Sequence, residues 1–469
     1  MFSKIGRSIS SQFNHRRQDL KKCLELQINS YIIRKTVYRR VSNLSNESDT
    51  MRTAIDKARN SSSYMKEVFK ELGNRNLNVT WSDGTVSRFP YNFLRDNCKC
   101  SQCYESSSKQ KLFNTARDLK KDIQIEELVV LEDGKHLKCI WSGGHESKYP
   151  FGWLHKMKMP EKNECLRRNS NSLVKDELIL WNRETMRDNI PFQDYNLMMN
   201  EDKSLFDSLY SFYQHGFVVI NNAPARDGVL MELAERIGYM RTTHYGNTFN
   251  VKDIENPSNL AYTNQHLPFH TDMPFMVTQP DIQLLHCINE NTAGGDSIFV
   301  DGFNVANQLH KDHPDAFDVL RNFHVRYCDY GTDAYSEFIA GDSKPIIKLN
   351  RHGRLNEIAY NPSVESESKG DCTPDELLAF YDACYLFTKV LYDSNNIVDM
   401  HLKSGQIAMF DNGRVLHGRS EFEATGGPTA RWLQGIYFEW DVIFSKLRVL
   451  QGKLGLKEPY LPEQSDEFF

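Results

Sequence analysis

The chain is poor in three things, and each shortage excludes a class of function. It has no surplus of positive charge: 57 Lys and Arg against 62 Asp and Glu give a net charge of -5, and the pI is near 6.3. A nucleic-acid surface needs clustered basic residues, so nucleic acid is excluded as a partner. Long apolar runs are also missing: none approaches the roughly 20 residues that span a bilayer, and no hydrophobic signal core opens the chain. A soluble protein with no membrane partner is expected. Cysteine is sparse as well, with ten in 469 residues. Without a secretory signal, these read as reduced thiols and metal ligands in a reducing compartment.

What is present begins with composition. Residues 1–45 carry ten Lys or Arg against Asp19 and Glu25, with serines among the first eleven positions. This reads either as a mitochondrial transit peptide, with a cytoplasmic location as the alternative, or as a basic extension. We take residues 1–75 as this extension, with a helical run at Met51–Arg59 ended by Asn60-Ser61-Ser62-Ser63.

From Val79 an internal repeat emerges. Trp81-Ser82-Asp83-Gly84 through Phe93-Leu94-Arg95 returns sixty residues later as Trp141-Ser142-Gly143-Gly144 through Trp153-Leu154-His155. Each copy reads as strand, tight turn, strand and a short apolar turn of helix, and two such hairpins can pair into one small antiparallel domain over 76–160. Between them, Cys98, Cys100 and Cys103 offer three thiols within six residues, and His145 lies in the second turn. Cys3His is a closed tetrahedral donor set for structural zinc, which a small domain often needs. Cys139 and Cys165 read as ordinary thiols.

The charged, Asn-rich stretch 161–200 reads as a connection, and 201–455 as a second domain. Helices are expected at Ser204–Gln214, Val229–Ile237 and from Pro374 to about Tyr392, with strands at Gly216–Ile220, Gln283–Ile288, Ser297–Val300 and Gly405–Phe410. Many short strands with helices outside fit a double-stranded β-helix, a jelly-roll relative. The fold class is therefore mostly β with flanking helices.

The chemistry concentrates at His270-Thr271-Asp272, whose i and i+2 side chains share one side of a strand. With His417 this is the two-histidine, one-carboxylate set that suits Fe(II) and leaves three positions open. Arg431 follows His417 by fourteen residues in an apolar, strand-like stretch from Thr429 to Asp441. Its planar fork suits a dicarboxylic cosubstrate.

Blocks NLAYT, FHTD, QLLHC, TAGGDS, VDGFNV, LHGR and YFEWDV resemble the 2-oxoglutarate- and Fe(II)-dependent dioxygenases of the gamma-butyrobetaine and trimethyllysine branch, and the similarity runs from about Val79 almost to the end of the chain. The resemblance implies hydroxylation of a small quaternary ammonium substrate, gamma-butyrobetaine first and trimethyllysine as the alternative, using O2, 2-oxoglutarate, Fe(II) and ascorbate as reductant. It also implies zinc on Cys98, Cys100, Cys103 and His145, and a homodimer. Tyr245, Phe249, Tyr262 and Tyr437 match the family's trimethylammonium cage, with Phe249 standing where the family usually has Trp. Asn259 and Asn361 are further candidates, for contacts to the substrate carboxylate. His286, Asp301 and Asn412 are candidates for orienting the ligands. A rival of another class is a non-catalytic zinc-dependent interaction or sensor protein, disfavoured because His270, Asp272, His417 and Arg431 all occur together.

Overall fold

The structure is a computed structural model that describes residues 65–71, 75–131, 135–159, 173–175, 177–252, 263–290, 294–367, 372–423 and 431–456. Residues 1–64 of the basic extension, which include the run Met51–Arg59, and Cys165 lie outside the described residues. The chain forms two compact units, Met1–Asn169 and Ser170–Phe469.

In the first unit the repeat is visible in space, with one difference from the expectation. Each copy is a three-stranded sheet: Met65–Lys70, Asn76–Trp81 and Val86–Pro90, then Ile125–Val130, His136–Trp141 and Glu146–Pro150. The domain thus starts about ten residues before position 76. The outer strand escaped notice because only Met65 of its six residues is buried, leaving no period-2 signal. Each hairpin turn needs glycine with positive φ, Gly84 in one copy and Gly143-Gly144 in the other. The tryptophan opening each turn donates its indole N–H to a serine, Trp81 to Ser87 at 2.9 Å and Trp141 to Ser147 at 2.8 Å. The two sheets do not merge into one. They share a core of Leu77, Val79, Trp81 and Phe89 with Leu137, Trp141, Tyr149 and Leu154.

The second unit is the expected double-stranded β-helix. A six-stranded sheet runs Phe249–Val251, Trp432–Phe438, Ile282–Asn289, Ile407–Asp411, Phe217–Asn221 and Phe192–Asp194. A four-stranded antiparallel sheet runs Leu267–His270, Val415–Arg419, Ser297–Asp301 and Val398–Met400. Phe217, Val219, Phe299, Ala408, Phe410 and Val415 form an apolar layer common to both sheets. Helices Asp202–His215, Val229–Ile237 and Trp440–Lys453 share a core with the larger sheet. Helices Gly302–Asp312, Pro314–Asn322 and Pro374–Leu391 share one with the smaller.

Part of the stretch assigned as a connection belongs to this unit. Arg183–Arg187 and Tyr195–Asn200 are helical, and Phe192–Asp194 adds a parallel edge strand beside Phe217–Asn221. Trp181, Met186, Tyr195 and Met198 are buried, but they stand too far apart among polar residues to read as a core pattern.

One buried ion pair ties these layers together. Arg414 and Asp301 are 1% and 0% exposed in their side chains and meet at 2.8 Å. Asp301 also accepts from the backbone of Phe303 and Asn304, capping helix Gly302–Asp312, and from Trp181 N–H. Arg414 also donates to the carbonyls of Ile179 and Gln214. Removing one partner strands the other charge in the interior, so Asp301→Ala is expected to cost about 3–5 kcal/mol of stability in urea unfolding. A loss below about 1 kcal/mol, the worth of a surface pair, would show that Arg414 finds compensation elsewhere.

Candidate active site and metal centres

The antiparallel register between Leu267–His270 and Val415–Arg419 sets His270 directly opposite His417, with ring centroids 4.3 Å apart. Asp272 is not on the strand, contrary to the expectation from i, i+2 alternation. The strand stops at His270, and Asp272 sits in the bend beyond it, held by contacts that local sequence does not announce. Its backbone N–H donates to Asn412 Oδ1 at 2.7 Å, and Asn412 Nδ2 donates back to the Asp272 carbonyl at 3.0 Å. Its Oδ2 accepts from the Tyr437 hydroxyl at 2.7 Å.

Three donor atoms converge as a result. Asp272 Oδ1 lies 3.2 Å from His270 Nε2 and 3.7 Å from His417 Nε2. Neighbouring ligands of an octahedral ion with bonds near 2.1 Å stand about 3 Å apart, so this spacing fits one metal ion touched by all three. Protonation favours it too. His270 Nδ1 lies 2.9 Å from the Pro268 carbonyl, which places the proton on Nδ1 and turns the Nε2 lone pair toward Asp272. Burial, then the neighbouring His270, push His417 down to about 3. Burial pushes the Asp272 carboxyl up, but His417, His270 and Tyr437 outweigh it and hold it well below the usual carboxylate range. Neutral imidazoles and an ionised carboxylate are the forms a divalent metal binds.

These ligands open into a cavity of about 230 Å³. Gln283, Leu285, Ser297, Arg431 and Leu433 line it together with Tyr245, Phe249, Phe275, Asp329, Asn361 and Tyr437. Arg431 is 9% exposed, and among the described residues its one hydrogen bond is a long 3.5 Å contact to the Gly295 carbonyl. Most of its donors therefore remain for an anion. Phe249 stacks on Tyr437 at 5.0 Å and lies 6.0 Å from Tyr245, its ring filling the space over Gly435, where even a Cβ would come within 2.1 Å of it. Asn361 spends its side-chain oxygen on the Ser363 N–H. Tyr262 and Asn259 lie outside the described residues.

Three other candidates separate. Asn412 orients Asp272 as described. Asp301 serves the Arg414 pair and a helix cap, away from the ligands. His286 is on the opposite sheet face: Gln283 and Leu285 line the cavity, whereas His286 alternates with Ile282 and Leu284 of the helix-covered core. Burial pushes it down to about 4, and it is neutral there. Gln283, Ser297, Asp329 and Arg419 were missed as cavity residues. For Gln283 and Ser297 a signal existed, a polar residue at an inward strand position.

In the first unit, His145 Nε2 lies 3.5, 3.7 and 3.6 Å from the sulfurs of Cys98, Cys100 and Cys103. A zinc tetrahedron with Zn–S near 2.3 Å and Zn–N near 2.05 Å has S···N edges of about 3.6 Å, so the donors could hold zinc with little movement. Arg95 donates to Cys103 Sγ at 3.3 Å and offsets thiolate charge. Cys139 is fully buried and its thiol is pushed up to about 12 by burial, which leaves it inert.

The comparisons agree with this geometry. Residues 184–437 match the model of the taurine catabolism dioxygenase TauD, TfdA family, and residues 70–155 that of the gamma-butyrobetaine hydroxylase-like N-terminal domain. Gamma-butyrobetaine dioxygenase of Homo sapiens is 33% identical over 384 residues, covering 81% of this chain and 95% of that one. The enzyme of the same name from Pseudomonas sp. (strain AK-1) is 31% identical over 80% of this chain and 94% of its own. The mitochondrial trimethyllysine dioxygenase of Mus musculus is 28% identical over 80% and 88%. The sequence blocks, two-sheet fold and three converging donors thus meet in one conclusion: the chain belongs to the TauD/TfdA family and is a 2-oxoglutarate-dependent dioxygenase.

Proposed function

We propose that this enzyme hydroxylates gamma-butyrobetaine to L-carnitine, with His270, Asp272 and His417 holding Fe(II) and Arg431 pairing with the far carboxylate of 2-oxoglutarate. The observation that carries the reading is the hydrogen bond from Tyr437 to Asp272. It joins an aromatic cage wall to a proposed iron ligand, so a cation seated on those rings lies beside the metal. Fe(II) with 2-oxoglutarate, O2 and ascorbate supplies the oxidative step that side chains lack.

The residues do the rest. Arg431 lines the cavity together with Leu433 and Leu285, and its planar fork can meet a carboxylate with two parallel hydrogen bonds. Tyr245, Phe249 and Tyr437 offer ring faces to a trimethylammonium group, which cannot donate a hydrogen bond and is held through the ring quadrupole instead. We assign Tyr262 to the same cage, and Asn259 and Asn361 to the substrate carboxylate.

Zinc on Cys98, Cys100, Cys103 and His145 completes the proposal as a structural ion, since a closed donor set leaves no position for substrate. The enzyme is proposed to act as a homodimer. No helix among the described residues is long and apolar enough to cross a membrane. We propose a mitochondrial location from the basic composition of residues 1–45. That same composition, with the mitochondrial trimethyllysine dioxygenases among the relatives, favours trimethyllysine as the second substrate reading.

A product assay offering both compounds with iron and 2-oxoglutarate is expected to yield L-carnitine and succinate; hydroxytrimethyllysine as the dominant product would replace the first reading with the second. Asp272→Ala should abolish succinate release while metal analysis still finds zinc, and retained turnover would remove Asp272 from the iron site. Conversely, Cys98→Ser is expected to lose zinc and lower the thermal midpoint with iron content unchanged; zinc at full occupancy would refute the Cys3His assignment. Phe249→Trp should lower the KM for gamma-butyrobetaine by about two- to fivefold, a cation-π gain of up to about 1 kcal/mol. An unchanged or higher KM would count against the cage.

A further inference from the structure

The hairpin His324–Thr332 and Glu337–Pro345 carries a residue that the chemistry above leaves unused. On its first strand the inward positions alternate as Val325 and Tyr327, both buried, and then Asp329. An apolar side chain is expected at the third position of such a face, and a half-buried carboxylate stands there instead, on the wall of the cavity that Tyr245, Phe249 and Phe275 also line.

Asp329 accepts one hydrogen bond, from the N–H of the adjacent Tyr330 at 3.0 Å. Among the described residues it forms no ion pair. Its titratable neighbours pull in opposite directions: His244 attracts it and Asp333 adds charge of the same sign. His244 packs at a tilt against Tyr245 at 4.0 Å and Phe338 at 4.2 Å, and burial pushes its pKa down, so it is a weak counter-ion. A carboxylate placed this way is costly unless a cation arrives to meet it.

We propose that Asp329 is the specificity-determining counter-charge for the quaternary ammonium group, supplying long-range attraction where the rings supply contact. The inference rests on the functional reading above and deepens it. With Phe at 249, the weaker quadrupole leaves the ring faces alone a poor discriminator between a cation and a neutral group of equal shape. A nearby negative charge separates the two, because only the cation gains from it.

The experiment compares wild type with Asp329→Asn on gamma-butyrobetaine and on its neutral carbon isostere 5,5-dimethylhexanoate, with tetramethylammonium binding measured by calorimetry in parallel. The variant is expected to raise the KM for gamma-butyrobetaine about tenfold, a change typical of losing one partly desolvated charge contact. The kcat, the KM for 2-oxoglutarate and the affinity for 5,5-dimethylhexanoate should stay within about twofold, and Asp329→Glu should recover most of the cation affinity. Equal losses for cation and isostere, or no loss for either, would overturn the proposal by reducing Asp329 to a structural residue or a bystander. If wild type hydroxylates neither betaine, the functional reading fails by itself, and tetramethylammonium still decides on Asp329. Weaker binding in Asp329→Asn supports the counter-charge, and unchanged binding overturns it.

Discussion

The pairing of Leu267–His270 with Val415–Arg419 governs the metal site, because strand geometry makes register an all-or-none matter. Neighbouring side chains point to opposite faces, so sliding one strand by a single residue would turn His417 away from the cavity and bring Leu416 into its place. The frame that holds this register is dry and over-determined. Phe410 packs on the His417 ring at 4.7 Å, Phe299 stands opposite His417 in the next strand, and the Arg414–Asp301 pair fixes the start of the same strand to helix and loop. Two imidazoles brought together by sheet register lose little freedom on binding an ion. Preorganisation of this kind is what a three-ligand site with open positions requires.

The third ligand obeys a different logic. Asp272 lies beyond the strand, and its neighbour Met273 has a positive φ of 54°, an unusual conformation for a side-chain-bearing residue. Such a bend persists only when its surroundings insist on it. Asn412 does so by exchanging two hydrogen bonds with the Asp272 backbone while a third goes to the Pro280 carbonyl. The carboxylate is thus aimed by a distant amide.

Much of this was legible beforehand. The His-x-Asp pair, its partner His417, Arg431 and the Cys3His cluster could be named because ligands are chemically distinctive residues at readable spacing. Helix Pro374–Leu391 was readable through its amphipathic spacing, and its Thr373–Glu376 capping box fixes where it starts. The long hairpin at 324–345 was not, since its inward face holds only a few apolar residues and its outer face mixes charge with exposed Tyr330 and Ile339. Asp329 went unseen for the same reason: a carboxylate among polar neighbours looks solvated until the strand gives it a direction. Asn412 was named beforehand only as one of three candidates for orienting the ligands, with His286 and Asp301, and the fold singled it out by carrying it across 140 residues to Asp272. Long-range pairing of this kind has no periodic trace in one sequence.

Tyr437 has two duties on one ring, lining the cavity and setting its hydroxyl on Asp272. Evolution cannot retune one duty without disturbing the other, so that position is closed to gradual change. On the proposed function, a lineage shifting from one methylated amine to another would have to move through Phe249 or the hairpin. Diversity of diet among related enzymes should accumulate at those two places and leave the phenol untouched.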